Sequence, residues 1–287
     1  MFELGTAMSE QSFSLQCPVC HTALQKETAR YVCRNGHSFD RARSGYVNLL
    51  QRQSHRLRGD DSDMVRARRA FLEQGWYTPL LEAIEQAMLE YGTVSNPVIL
   101  DIGCGEGWYS CHLARFLAAQ GNRPVLAGFD ISTNALSYAA RRAGTEQTFE
   151  NHWAVASINH LPAADQSADC LLNLFAPCEP KEFARVLRNN GILLRAIPLE
   201  RHLWELKAAV YEQPYENRPV WETPEGFVSL AQEQIKTSIT VSGDALRNLF
   251  DMTPYARKTA PADRAKLLAV PSLQVQLAFG LQVFRKA

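Results

Sequence analysis

The chain lacks any uninterrupted apolar run of the roughly 20 residues that a membrane-crossing helix requires. Its most apolar stretch, near the carboxyl end, is broken by Pro271, Gln274, Gln276 and Gln282. Basic residues are absent from Met1 to Gln16, which carries Glu3 and Glu10 instead, so neither the charged start nor the apolar middle of a signal peptide is there. Met8 is a second candidate start. Neither sign of charge is in excess, with 30 Lys and Arg against 30 Asp and Glu in 287 residues, so net charge alone names no partner. Cysteine is sparse and odd in number, seven in all, which argues against a disulfide framework. Together these absences predict a soluble cytoplasmic protein with reduced thiols and no membrane partner. Apolar residues are plentiful at 46%, enough for the core of one α/β domain with a small appendage.

The cysteines fall into two groups. Cys104, Cys111, Cys170 and Cys178 are scattered among apolar neighbours, where a free thiol packs as a small hydrophobe. Cys17, Cys20 and Cys33 stand in a polar segment with His37, in the pattern C-x2-C-x12-C-x3-H. That is zinc-ligand spacing, each short pair forming a knuckle that offers two ligands to one tetrahedral ion. Three thiolates and an imidazole leave no open position, so the metal is expected to be structural. His21, beside Cys20, is read as a surface residue. A module of this size, residues 15–50, has too little core to fold alone, and metal binding would supply much of its folding energy.

Charge is unevenly placed. From Cys17 to Leu72, eleven Lys and Arg face five acids, a net +6 that leaves −6 for the remainder. The cations are Lys26, Arg30, Arg34, Arg41, Arg43, Arg52, Arg56, Arg58, Arg66, Arg68 and Arg69. Arginine suits bidentate phosphate contact and stacking on bases, and Tyr31, Phe39 and Tyr46 are interleaved with it. An RNA-gripping module is expected, joined by a polar linker (residues 51–63) to a catalytic domain (residues 64–287). Residues 1–14 are an extension without a reading. The alternative is an ordinary solvated face.

The catalytic domain is organised around Val98-Ile-Leu-Asp-Ile-Gly-Cys-Gly-Glu-Gly-Trp-Tyr109. Its apolar start reads as a buried strand with Asp101 near the carboxyl end, and Gly103, Gly105 and Gly107 turn the chain into an amphipathic helix. Glycine at alternate positions lets a ligand approach main-chain N–H groups at the strand end, where ligands bind in open α/β sheets. A dinucleotide fingerprint wants G-x-G-x-x-G, whereas this loop is D-x-G-x-G-x-G, which favours S-adenosylmethionine. Asp101 to Gly107 resembles the first motif of Rossmann-like class I methyltransferases.

The neighbouring stretches continue the pattern. Asp61 or Ser62 caps a helix to about Gln74, and Thr78-Pro79 begins one that ends near Tyr91, bringing Tyr77 near the mouth of the loop. Pro124 to Asp130 is a second strand ending in an acid 23 residues beyond Gly107, where a ribose-binding carboxylate belongs. Ser132 caps the next helix. Strands over residues 151–157, 168–175 and 191–198, with a helix over 179–187, require a parallel doubly wound sheet. A helix over 202–211, helices over 244–250 and 262–268, and strands over 235–241 and 273–284 would complete a seven-stranded methyltransferase sheet with its antiparallel edge.

The whole chain, from Ser14 to about Arg285, resembles the bacterial 23S rRNA guanine-N1 methyltransferases that carry an amino-terminal zinc module. The specific segments are Cys17-Pro-Val-Cys20, Gly45-Tyr-Val-Asn-Leu-Leu50, Arg68-Arg-Ala-Phe-Leu72, Asp101 to Gly107, Ala176-Pro-Cys178 and Arg201-His-Leu203. The resemblance implies methyl transfer to N1 of a guanine in a hairpin loop of 23S rRNA, with zinc on Cys17, Cys20, Cys33 and His37. It further implies that Tyr77, Gly105, Glu106 and His202 contact S-adenosylmethionine and that the protein is a homodimer. Glu200 and His202 are considered as acceptors of the guanine proton, but no catalytic base is named. Two other readings stay open, a small-molecule methyltransferase with a structural zinc module and a catalytically silent RNA-binding protein.

Overall fold

The computed structural model describes residues 13–50, 59–144 and 147–287. Most of the expected extension 1–14 and of the expected linker 51–63, with Arg52, Arg56 and Arg58, lies outside these residues. Three short antiparallel strands, β1 (Leu24–Lys26), β2 (Arg30–Cys33) and β3 (Ser38–Asp40), make the amino-terminal module. A fourth, β4 (Val47–Asn48), leaves it and joins the large sheet.

Then come α1 (Ser62–Leu72), α2 (Thr78–Tyr91), β5 (Val98–Ile102), α3 (Trp108–Ala119), β6 (Val125–Asp130), α4 (Thr133–Ala143) and β7 (Glu150–Val155). The chain continues through β8 (Ala168–Leu174), α5 (Pro180–Val186), β9 (Leu187–Pro198), α6 (Trp204–Val210), β10 (Phe227–Val241), α7 (Gly243–Asp251), α8 (Pro261–Leu268) and β11 (Leu273–Lys286). Local chemistry sets the starts. The Asp61 carboxylate accepts from the N–H groups of Asp63 and Met64 at 3.1 and 2.9 Å, the Ser132 hydroxyl from that of Ala135 at 3.2 Å, and proline opens α2, α5 and α8.

The large sheet has eight strands in the order β10-β11-β9-β8-β5-β6-β7-β4. The expected seven are present, and the eighth is β4, whose Val47 and Asn48 run parallel to Ala154 and Val155 of β7. Two residues carry no periodicity, so this strand leaves no mark in the sequence. The antiparallel member, β11, lies one place in from the edge, between β9 and β10. β10 begins at Phe227 instead of near Ile235 because its outer half, an edge paired on one side only, is polar at Gln232, Glu233 and Gln234. β9 begins at Leu187, directly after α5, and α6 begins two residues later than expected, at Trp204.

The two faces of the sheet are covered differently. One packs against helices α1 to α4 and α6 to α8, with Phe71, Leu80, Ile84, Leu113, Leu136 and Leu249 in a common core. The other packs against the short α5 and the zinc module, so Leu15, Leu24, Tyr31, Val47 and Leu49 share a core with Leu100, Val125, Ala154 and Phe183. The module is therefore built into the domain. Lys26 Nζ donates to the Asn151 carbonyl at 2.7 Å, the Gln16 N–H to that of Pro162 at 2.9 Å and the Leu49 N–H to that of Val155 at 3.0 Å. The buried Tyr31 hydroxyl meets His152 Nδ1 at 3.2 Å.

Candidate active site and metal centre

Two turns build the metal centre. In the first, the Cys17 N–H donates to the Thr22 carbonyl at 2.8 Å and the His21 N–H to the Cys17 carbonyl at 2.9 Å. In the second, the Gly36 N–H donates to the Cys33 carbonyl at 2.9 Å, with Gly36 at φ +83°, a left-handed value that glycine adopts freely. The ligand atoms of Cys17, Cys20, Cys33 and His37 all lie within 4.8 Å of one another. Cys17 Sγ is 3.6 Å from His37 Nδ1, Cys33 Sγ is 3.4 Å from the same nitrogen, and Cys20 Sγ is 3.6 Å from Cys33 Sγ. A zinc tetrahedron with bonds of about 2.3 Å to sulfur and about 2.1 Å to nitrogen has edges of roughly 3.6–3.8 Å, so the three contacts of 3.4–3.6 Å approach zinc geometry. Hydrogen bonds from the Thr22 hydroxyl and N–H pull the Cys20 thiol down to about 5, which favours the thiolate that binds metal. His21 is exposed and outside the group.

At the carboxyl ends of β5 and β6, Gly103, Gly105 and Gly107 all take positive φ, +76°, +54° and +75°. A Cβ on Gly103 would stand 2.6 Å from that of Ala176, and one on Gly107 would meet Ala139 at 3.0 Å and the Trp153 ring at 3.1 Å. Only the side-chain nitrogen of Arg68, at 3.6 Å, lies near the corresponding position on Gly105. Gly105 therefore faces open space, a cradle that a side chain would fill. Asp130 closes it from the β6 side: one oxygen accepts from the Gly105 N–H at 2.9 Å and the other from the Ser132 N–H at 2.7 Å. Burial raises the Asp130 carboxyl, and these two N–H groups pull it back. Asp101, two residues before Gly103, is fully buried, and burial pushes it up to about 7 against the pull of the Ser110 hydroxyl.

Tyr77, buried between α1 and the sheet, packs edge-on against Phe71 at 5.6 Å and Phe279 at 4.9 Å, with His202 at 6.3 Å. His202 Nδ1 accepts from the Ala278 N–H at 3.1 Å, so its ring proton sits on Nε2. Burial, with the Lys207 charge, holds the imidazole down to about 3. It is a neutral donor and takes no proton at neutral pH. Glu200 is exposed. Glu106 is buried; one carboxylate oxygen is held by Arg142 at 2.5 Å, which also pairs with Glu73 at 2.7 Å, and the other, Oε1, has no hydrogen-bond partner among the described residues.

The family model described as "RlmA, N-terminal", a zinc ribbon, matches residues 15–58, and the one described as "Methyltransferase domain" matches residues 99–195. The 23S rRNA (guanine(748)-N(1))-methyltransferase of Streptomyces fradiae is 36% identical over 89% of this chain and 90% of its own. This chain belongs to the 23S rRNA guanine-N1 methyltransferase family. A second member, from Bacillus subtilis (strain 168), whose name as a 23S rRNA (guanine-N(1)-)-methyltransferase is provisional, is 30% identical over 88% of this chain and 90% of its own. Among solved structures, the Bacillus subtilis YcgJ protein aligns at a TM-score of 0.47 and 17% identity, covering 72% of this chain and 97% of that one.

As in a class I methyltransferase domain, the cofactor is S-adenosylmethionine, and the zinc ribbon accounts for the metal. The structure brings Gly103, Gly105, Asp101 and Asp130 together at one strand end and pairs Tyr77 with His202 beside it. Three supports of this family member's loop were missed in the sequence. Gly128 faces Trp153 so closely that a Cβ there would sit 2.2 Å from the ring, which lets Trp153 reach under Gly107. Gly59 presses on Ser132, whose hydroxyl donates to the Asp60 carbonyl at 2.7 Å. Arg68 binds Asp60 at 2.6 Å beside Gly105. The approaches of Trp153 to Gly128, of Ser132 to Gly59 and of Arg68 to Gly105 are contacts between distant parts of the chain, without a local pattern.

The basic surface is smaller than the sequence count. Among the eight described cations, Lys26 and Arg41 donate to main-chain carbonyls, Arg30, Arg66 and Arg68 pair with Glu27, Asp63 and Asp60, and Arg69 lies over Tyr138 near Glu73. Arg34 and Arg43 are exposed, with no carboxylate partner among the described residues.

Proposed function

We propose that this chain transfers the methyl group of S-adenosylmethionine to N1 of a guanine in a hairpin loop of 23S ribosomal RNA, acting in the cytoplasm and as a homodimer. The observation that carries the proposal is the open cradle at Gly105, closed by Asp130, in a chain of this family. Each Asp130 oxygen holds one loop N–H and keeps a lone pair free for a ribose hydroxyl. The N–H groups of Gly105 and Glu106 line the loop, Gly103 keeps the floor clear, and Asp101 anchors the strand end beneath. Tyr77 walls the pocket, and His202 offers its Nε2–H to an acceptor on the cofactor. Cys17, Cys20, Cys33 and His37 hold zinc as a structural ion.

When bound, S-adenosylmethionine supplies a methyl group already activated on a sulfonium sulfur. The protein's task is then to hold guanine N1 in line with the methyl–sulfur bond and to exclude water from it. The N1 proton passes to solvent water as the new bond forms. His202 does not take it, because its acceptor nitrogen is engaged and its imidazole is too weak a base.

Tritiated S-adenosylmethionine and 23S rRNA from a strain deleted for this protein provide the test. Label confined to N1 of a single guanine is expected, and the absence of transfer to that RNA would refute the reading. Sedimentation of the purified protein at about twice 32.2 kDa is the corresponding expectation for the homodimer.

A further inference from the structure

Phe175 combines two unfavourable features. It is the residue after β8, and its φ of +59° lies in the left-handed region that bulky side chains avoid. The residue is also 43% exposed, although apolar burial would favour turning it inward. The surrounding chain enforces both. The Phe175 N–H donates to the Ala196 carbonyl at 3.0 Å, and Asn173, fully buried, reaches round with its amide to the Pro177 carbonyl at 2.9 Å. A bulky residue held in a sparsely populated conformation by its neighbours points to use.

The position is also specific. Ala176 is the residue that a Cβ on Gly103 would strike at 2.6 Å, so this turn rests against the glycine loop. One side of the Phe175 ring leans on Phe279 at 5.7 Å, and Phe279 in turn touches Tyr77 at 4.9 Å and His202 at 4.8 Å. Phe175 is thus the outermost ring of the aromatic cluster beside the glycine loop, and the most exposed of its members. A guanine presented for attack at N1 must leave its own stack, and an aromatic ring replaces the lost stacking partner. Resting on the function proposed above, we propose that Phe175 is the surface on which the target guanine stacks while N1 faces the methyl donor.

Methyl transfer to an unmodified 23S rRNA hairpin is measured for the wild type and for Phe175→Ala, Phe175→Leu and Phe175→Trp, with S-adenosylmethionine affinity followed by calorimetry. Alanine and leucine are expected to lower kcat/KM for RNA roughly 10- to 100-fold, the range of one lost base–aromatic stack. Tryptophan should stay within about threefold of wild type, and cofactor affinity should not change in any variant. In a hairpin with 2-aminopurine at the methylated position, the wild type should quench fluorescence and the leucine variant should not. Should the alanine variant fail to fold, leucine carries the test, since it retains an apolar contact with Phe279. Wild-type turnover in the leucine variant, or a loss of cofactor affinity equal to the loss of turnover, would overturn this role and leave the proposed function standing. A wild-type protein that methylates no such RNA would overturn both.

Discussion

Both Asp130 oxygens already hold main-chain N–H groups before any ligand is bound. Asp130→Ala should therefore loosen the glycine loop as well as remove the ribose acceptor, weakening S-adenosylmethionine by about 1–3 kcal/mol; an unchanged calorimetric Kd would show that the ribose lies elsewhere. Asp101 presents a different balance. Burial raises it to about 7, so the folded state holds its proton more tightly than the unfolded chain does. Stability associated with this group is full below about pH 4, falls as pH rises, and levels off above about pH 7. Asp101→Asn removes that dependence, and its stability relative to wild type should rise by about 2 kcal/mol between about pH 5.5 and about pH 8. Parallel denaturant titrations check this, and a pH-independent difference would rule it out. The strand-end places of Asp101 and Asp130 and the meeting of Cys17, Cys20, Cys33 and His37 were legible in the sequence because strand-end and knuckle chemistry impose short spacings. The partner that holds the Glu106 carboxylate was not, because Arg142 is 36 residues away.

At the scale of elements, the helix and strand pattern from β5 to β11 was readable because buried parallel strands are short apolar runs and the helices α4, α5, α7 and α8 carry Ser or Pro at the start. The misses follow from the same physics. β4 is too short to show a period, and the outer half of β10 has water on one side and polar residues to match. The zinc knuckles were clear as a motif, but their docking was not, since Tyr31 and His152 meet across 121 residues. Cys17 and Cys33 are buried in the core that the module shares with the sheet. Removing zinc should consequently destabilise the whole protein and not the module alone. Chelation, or Cys33→Ser, is expected to lower the melting temperature on the order of 5–10 °C, and a melting curve unmoved by chelator would show that the module stands apart.

At the scale of the molecule, the charge asymmetry seen in the sequence overstates what RNA can meet. Sequence cannot tell an arginine that grips a carbonyl, as Arg41 does, from one that waits for a phosphate. Arg34 and Arg43 are the described cations of this region left to water. Changing both to Ala should weaken RNA binding at every sequence alike and reduce the slope of log affinity against log salt by about 2. An unchanged slope would move the RNA path to another face.

The union of module and sheet also decides how the molecule meets its own copies. β7 would otherwise present a row of unpaired main-chain groups at the rim, and an apolar surface beside it. β4, the Leu49 N–H and the Lys26 ammonium occupy that rim together. A chain shortened to begin at Gly59 should therefore clump through strand-to-strand addition, a hazard of any naked β margin, so the metal-bearing piece also acts as a guard against self-association into insoluble material.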